Sequence, residues 1–142
     1  MHHIVYQSSA VGEPTAASLR LLLQHSRIKN GRLNVTGLLL YGKGEFLQVL
    51  EGETDVVRAL YETIKLDHRH KDVATLSDGI IPVRVFKDWT MGFQQLADED
   101  FVRLVGYIDP YRPTFLAPHP ADTDESMLWL LRSFVANQSS WV

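Results

Sequence analysis

Asn34-Val-Thr-Gly-Leu-Leu-Leu-Tyr-Gly-Lys-Gly-Glu-Phe-Leu-Gln-Val-Leu-Glu-Gly-Glu53 is two apolar runs joined by Gly42-Lys43-Gly44, the pattern of a β-hairpin. Period-2 counting puts Phe46, Gln48 and Leu50 on one face of the second strand, with Leu47 and Val49 on the other. Both faces are apolar apart from one amide. A strand that is apolar on both sides is buried on both sides, so Gln48 is expected inside the protein. Left unpaired there, its side chain would cost roughly 1–3 kcal/mol, so it needs a polar partner. The strand alone leaves open a structural glutamine bonded to backbone or water.

A chain of 142 residues suits one domain with one core. Its 45% hydrophobic and 22% charged residues are ordinary for a soluble protein. A net charge of −3 with scattered basic residues makes no electrostatic case for nucleic acid. The absence of cysteine removes disulfides, thiolate nucleophiles and cysteine-ligated metals, and fits a reducing compartment. Met1-His-His-Ile-Val-Tyr6 enters an apolar run directly, without the pattern of a signal peptide, and no run approaches the ~20 residues needed to cross a bilayer. A cytoplasmic protein without a membrane segment is expected.

Residues 3–7 read as an opening strand with Ile4 and Tyr6 on one face. Pro14 is placed in the first turn of a helix that runs to about Lys29. Leu19, Leu22, Leu23 and Ser26 give it an apolar face, Arg20, Gln24 and Arg27 lie on its other sides, and Asn30-Gly31 is expected to stop it. After the hairpin, Glu51 to Asp55 leads into a second helix with Val57, Leu60, Tyr61 and Ile64 on its buried face. Asp67 to Asp72 is a charged loop, and a strand follows near Val73 to Leu76. Residues 80–86 are less regular, with Pro82 marking an edge or bulge. Lys87 to Phe93 reads as a final strand with Trp89, Met91 and Phe93 on one side. The order β-α-β-β-α-β-β is that of a ferredoxin-like α+β sandwich. A helical extension follows over 96–142, with a short helix at 98–108, four prolines between 109 and 120, and an amphipathic helix over 122–135. It is expected to cover the sheet face that the helices leave bare, or to dock on a partner.

Tyr6 and Gln48 are polar tips on core strands, and on neighbouring strands both would point under the two helices, where a flat ligand fits. Asn30 adds an amide at the rim of that cleft. Separately, Tyr6 reads as an anchored core aromatic, Asn30 as a helix stop, and Trp89 and Met91 as core filler. Together with their neighbours they resemble the BLUF family, blue-light sensors that hold FAD. The resemblance rests on Ile-Val-Tyr6, on Asn30-Gly-Arg-Leu-Asn-Val-Thr-Gly-Leu-Leu-Leu-Tyr, on Phe46-Leu-Gln48-Val-Leu-Glu-Gly-Glu, on Asp67-His-Arg-His70 and on Asp88-Trp-Thr-Met91-Gly-Phe. It covers about residues 2–95, so that 1–95 is expected as a flavin-binding domain.

The resemblance implies a flavin ring between the helices, with Leu22 and Ile64 on its faces, Asn30 bonding its polar edge and Gln48 between ring and Tyr6 hydroxyl. It offers Ser26, Lys29, Arg32, Asp67, Arg69 and His70 for the ring rim, ribityl chain and phosphates. Ile28 and Asn34 depart from the family, which often has a basic residue and a glycine there. It further implies that light drives an electron and a proton from Tyr6 toward the flavin, that their return leaves the Gln48 amide rearranged, and that Trp89 and Met91 pass the change onward. Such a protein is a switch and not an enzyme. With no output domain attached, it is expected to signal to another protein in trans, or through a homo-oligomer.

Two rivals share the fold class. An acylphosphatase-like hydrolase needs an arginine cradling phosphate after the first strand, and residues 7–14 contain no basic residue. A light-independent ligand-binding or oligomerisation module would yield colourless protein. His68 and His70 are a poor metal pair, lacking a third ligand.

Overall fold

The computed structural model describes residues 1–99 and 101. Its elements are β1 (His2–Ala10), α1 (Ala16–Leu33), β2 (Thr36–Gly42), β3 (Glu45–Gly52), α2 (Thr54–Lys65), β4 (His70–Ile80) and β5 (Gly92–Gln95). They form one sheet in the order β4-β1-β3-β2-β5. All neighbours are antiparallel except β2 and β5, which are parallel. This is the ferredoxin-like α+β order β4-β1-β3-β2, extended by β5.

The hairpin turns through Lys43 and Gly44, both at positive φ, which gives the two-residue turn that suits the twist of antiparallel strands. β1 and β3 occupy the centre of the sheet, which is why β3 is apolar on both faces. Phe46 and Leu50 join Ile4, Tyr6, Leu19, Leu23, Val57, Leu60 and Tyr61 beneath the helices. Leu47 and Val49 join Val5, Leu38, Leu40, Val85, Phe86, Leu96 and Phe101 on the opposite face.

Helix boundaries follow local hydrogen bonding. Thr15 and Ser18 cap each other's backbone N–H groups, so α1 starts after Pro14 and leaves the proline outside. Asn30-Gly31 does not end the helix. α1 continues to Leu33, and Asn34 takes the left-handed position, its N–H returning to the carbonyls of Asn30 and Gly31. Asparagine is the usual alternative to glycine in that conformation, so Asn34 meets the same backbone demand.

Two strand expectations are corrected. β4 begins at His70 and runs to Ile80, longer than residues 73–76, because it pairs with β1 along its length through two register shifts. The last strand is only Gly92–Gln95, since pairing with β2 begins at Leu38 and Gly92. Trp89 and Met91 therefore precede it, and they lie on opposite sides of the sheet: Trp89 stacks on Phe86, whereas Met91 is buried with Tyr6 and Phe93.

Residues 81–89 cross the face away from the helices as a strap. Fully buried Glu51 holds it: one carboxylate oxygen accepts the Val85 N–H at 2.7 Å and the other the Phe86 N–H at 2.9 Å. Burial pushes the Glu51 carboxyl up, while those N–H groups, the Thr36 hydroxyl and Arg84 pull it down. Arg84 also donates to Thr36 Oγ1, Glu51 O and Asn34 O. Part of the cover expected from the extension is thus supplied by this strap, with Leu96 and Phe101. The helix expected over 122–135, and most of that over 98–108, lie outside the described residues.

His3 is buried on the strap face, 2.8 Å from Ser77 Oγ. Burial, reinforced by His2, lowers its pKa from 6.5 to about 4 against the opposing pull of Asp78. The unfolded chain therefore takes up a proton that the native protein refuses, and stability falls as pH drops from 6.5 toward 4. Denaturant titrations at pH 7 and pH 4.5 should show His3→Gln recovering roughly 2 kcal/mol of that loss.

Candidate functional site

A cleft of about 790 Å³, its open mouth included, lies between α1 and α2 over the sheet. Its floor comes from Leu39, Phe46, Gln48 and Leu50, with Tyr6 beside them. One wall is Leu22, His25, Ser26, Lys29 and Asn30 from α1, and the other Leu60, Thr63 and Ile64 from α2. Asp67, Arg69 and His70 close the end.

Tyr6 and Gln48 are register partners across β1 and β3, so their side chains rise on the same face. The Tyr6 hydroxyl donates to Gln48 Oε1, and Gln48 Nε2 donates to Met91 Sδ at 3.5 Å. All three residues are buried. Burial, then the nearby Tyr61 and Asp67, push the Tyr6 phenol far above its ordinary value. It stays protonated and is a donor at any physiological pH, which orients the amide. Tyr61 packs 5.3 Å from the Tyr6 ring, and its own hydroxyl is 2.6 Å from Thr75 Oγ1.

Asn30 lies buried in the α1 wall and not at the rim, within a helix that continues to Leu33. Its Nδ2 donates to Thr90 O at 2.8 Å. His70 is 2.7 Å from Ser8 Oγ through Nδ1 and 2.6 Å from Ile64 O through Nε2, so it ties the first residue of β4 to β1 and α2. At the mouth Arg69 forks onto Asp67, and this hydrogen bonding holds the Asp67 carboxyl down to about 2. That pair is nearly self-neutral, while Lys29 is an exposed cation.

Of the residues singled out from sequence, Tyr6, Leu22, Ser26, Lys29, Asn30, Gln48, Ile64, Asp67, Arg69 and His70 line this one cleft. Arg32 does not. It is exposed beside a shallow hollow next to Ile28 and Leu33, a turn further along α1. Trp89 is also absent from the cleft, being across the sheet. His25 and Thr63 line it unexpectedly; the signal was helical spacing, His25 lying three residues after Leu22 and Thr63 three after Leu60.

The cleft joins apolar walls, two buried amides and a phenol at its depth, and charge at its mouth. Such a donor set fits a flat heteroaromatic ring with a polar tail. The family model for sensors of blue light using FAD matches residues 1–92. The chain belongs to the BLUF family. Among its relatives, the photoactivated adenylate cyclase subunit beta of Euglena longa is 35% identical over 89 residues, 62% of this chain and 10% of that protein. The blue light- and temperature-regulated antirepressor BluF of Escherichia coli K12 is 28% identical over 83 residues, 58% of this chain and 21% of that one. Among solved structures, a bacterial light-regulated adenylyl cyclase is 36% identical with a TM-score of 0.63, covering 68% of this chain and 28% of that chain. BlrB, a BLUF protein in its dark state, is 26% identical with a TM-score of 0.68, covering 96% of both chains. The BLUF chain thus spans a small fraction of the cyclase relatives. Among its described residues no helix is long and apolar enough to cross a membrane.

Tyr6→Phe deletes the donor to Gln48 Oε1 and leaves a buried acceptor unpaired. Chemical denaturation of the flavin-free protein should register a loss of about 1–2 kcal/mol, and no loss would contradict the buried pairing.

Proposed function

We propose that this BLUF domain holds FAD between α1 and α2 and reports blue light by re-bonding Gln48. The buried run Tyr6, Gln48, Met91 at the cleft floor supports this reading most. Leu22 and Ile64 would pack on the ring faces, Asn30 and Gln48 would meet its polar edge, and Ser26, Asp67, Arg69 and His70 would border its rim and ribityl chain. Lys29 and Arg32, with His25 between cleft and hollow, suit a diphosphate beyond the mouth, which favours FAD over FMN. The bound flavin supplies absorption of blue light and, when excited, an oxidising site.

Tyr6 is the oxidisable group in the floor. It gives up an electron and its phenolic proton on illumination and recovers both, so nothing is consumed and no substrate is turned over. Gln48 is the adjustable group, because its donor and acceptor ends can exchange places and swap what they offer Tyr6 and Met91. Trading one or two hydrogen bonds at roughly 1 kcal/mol each biases a two-state element about five- to thirtyfold. That suits signalling through Met91, Trp89 and the extension beyond residue 95 to a downstream protein in trans, or through a homo-oligomer, and not an enzyme.

Purified protein should be yellow, release FAD on denaturation, and show a reversible red shift after blue light. Gln48→Leu should keep the colour and lose the shift; identical dark and illuminated wild-type spectra would overturn the reading, and release of FMN alone would overturn the cofactor choice. Met91→Ala should keep the shift while erasing any light-induced change in hydrogen exchange over residues 84–95.

A further inference from the structure

Three successive carbonyls just before β5 are taken by three separate donors. Trp89 O accepts the Gly37 N–H at 3.0 Å, Thr90 O accepts Asn30 Nδ2 at 2.8 Å, and Met91 O accepts Arg27 Nε at 3.0 Å. The ladder with β2 starts only at Gly92, so α1 side chains take the two carbonyls immediately before it. Arg27 and Asn30 stand three apart on α1 and share a face, which lets both reach the same stretch. Arg27 is half-buried and is not among the residues lining the cleft.

Building on the reading above, we propose that Arg27 is a positioning residue of the photoswitch: by gripping the Met91 carbonyl it keeps the Met91 sulfur opposite Gln48 Nε2. Methionine is unbranched, with three rotatable bonds and a weakly accepting thioether, so a 3.5 Å N–H to sulfur contact persists only where the backbone is held. The hold also has a sign. With Gln48 Oε1 toward Tyr6, Nε2 meets the sulfur as donor to acceptor. With the amide ends exchanged, oxygen meets sulfur, acceptor against acceptor. Arg27 therefore favours the dark arrangement and shortens the life of the rearranged one.

Arg27→Met and Arg27→Lys test this in flavin-loaded and flavin-free protein. Arg27→Met should bind flavin and red-shift like wild type but return to the dark spectrum about three- to tenfold more slowly. Arg27→Lys, still a cationic donor, should restore most of the rate. Arg27→Met in a Met91→Ala background should add nothing, because the two residues act through one contact. In flavin-free protein the Met91 methyl resonance should move with Arg27→Met and stay with Arg27→Lys. Recovery at the wild-type rate in Arg27→Met, or independent effects in the double variant, would overturn the proposal. An absent red shift in wild type would instead sink the photoswitch reading, and the methyl resonance would still decide whether Arg27 holds Met91. If Arg27→Met does not fold, Arg27→Gln serves in the same comparisons.

Discussion

The hydrogen bond from the Tyr6 hydroxyl to Gln48 Oε1 is the constraint around which the rest is arranged. It joins the two central strands inside a layer that is otherwise apolar, where an unpaired amide or phenol would cost on the order of 1–3 kcal/mol. The bond requires the register that sets Tyr6 opposite Gln48. It leaves the amide N–H₂ seeking a further acceptor, and Met91 Sδ supplies only a weak one. Gln48 is thus held firmly on the Tyr6 side and lightly on the Met91 side.

β3 also links that floor to the other side of the sheet. Gln48 faces the helices, while Glu51, three residues on and so on the other face, accepts the Val85 and Phe86 N–H groups of the strap. The strap then passes Trp89, stacked on Phe86, and crosses the end of β2 to bring Met91 back to Gln48. One segment is thus anchored beneath the sheet by a buried carboxylate and touches the amide above it. Residues 87–91 run from a stretch fixed by Glu51 to the contact with Gln48. Those residues also carry the grip of Asn30 and Arg27 from α1, which couples them to the cleft wall.

Much of this was legible in the sequence where the cause is local or periodic. Two apolar faces around Gln48 announced a central strand, Gly42-Lys43-Gly44 a tight turn, and the spacing of Val57, Leu60 and Tyr61 a buried helix face. The motifs around Tyr6, Asn30 and Gln48 carried the family resemblance, and these residues do meet in one cleft. What failed was decided by distant partners at the strands and by a local cap at the helix. The end of α1 moved because Asn34, and not Asn30-Gly31, takes the left-handed cap. The strand expected through Trp89 and Met91 shrank because the parallel ladder with β2 starts only at Leu38 and Gly92, and alternation along a stretch that is not a strand misplaced Trp89 beside Met91.

The amino-acid sequence by itself determined which residues are apolar on which side of a helix or strand, and therefore the element order, because burial of periodic faces needs no knowledge of the neighbour. Only the tertiary structure decided that Arg27, on a face that looked solvent-directed, reaches the Met91 carbonyl, and that Glu51 spends its charge on two backbone N–H groups 34 and 35 residues away. Hydrogen bonds between polar groups far apart in the chain leave no period in the sequence, since a single donor and acceptor suffice and the residues between them are free to vary.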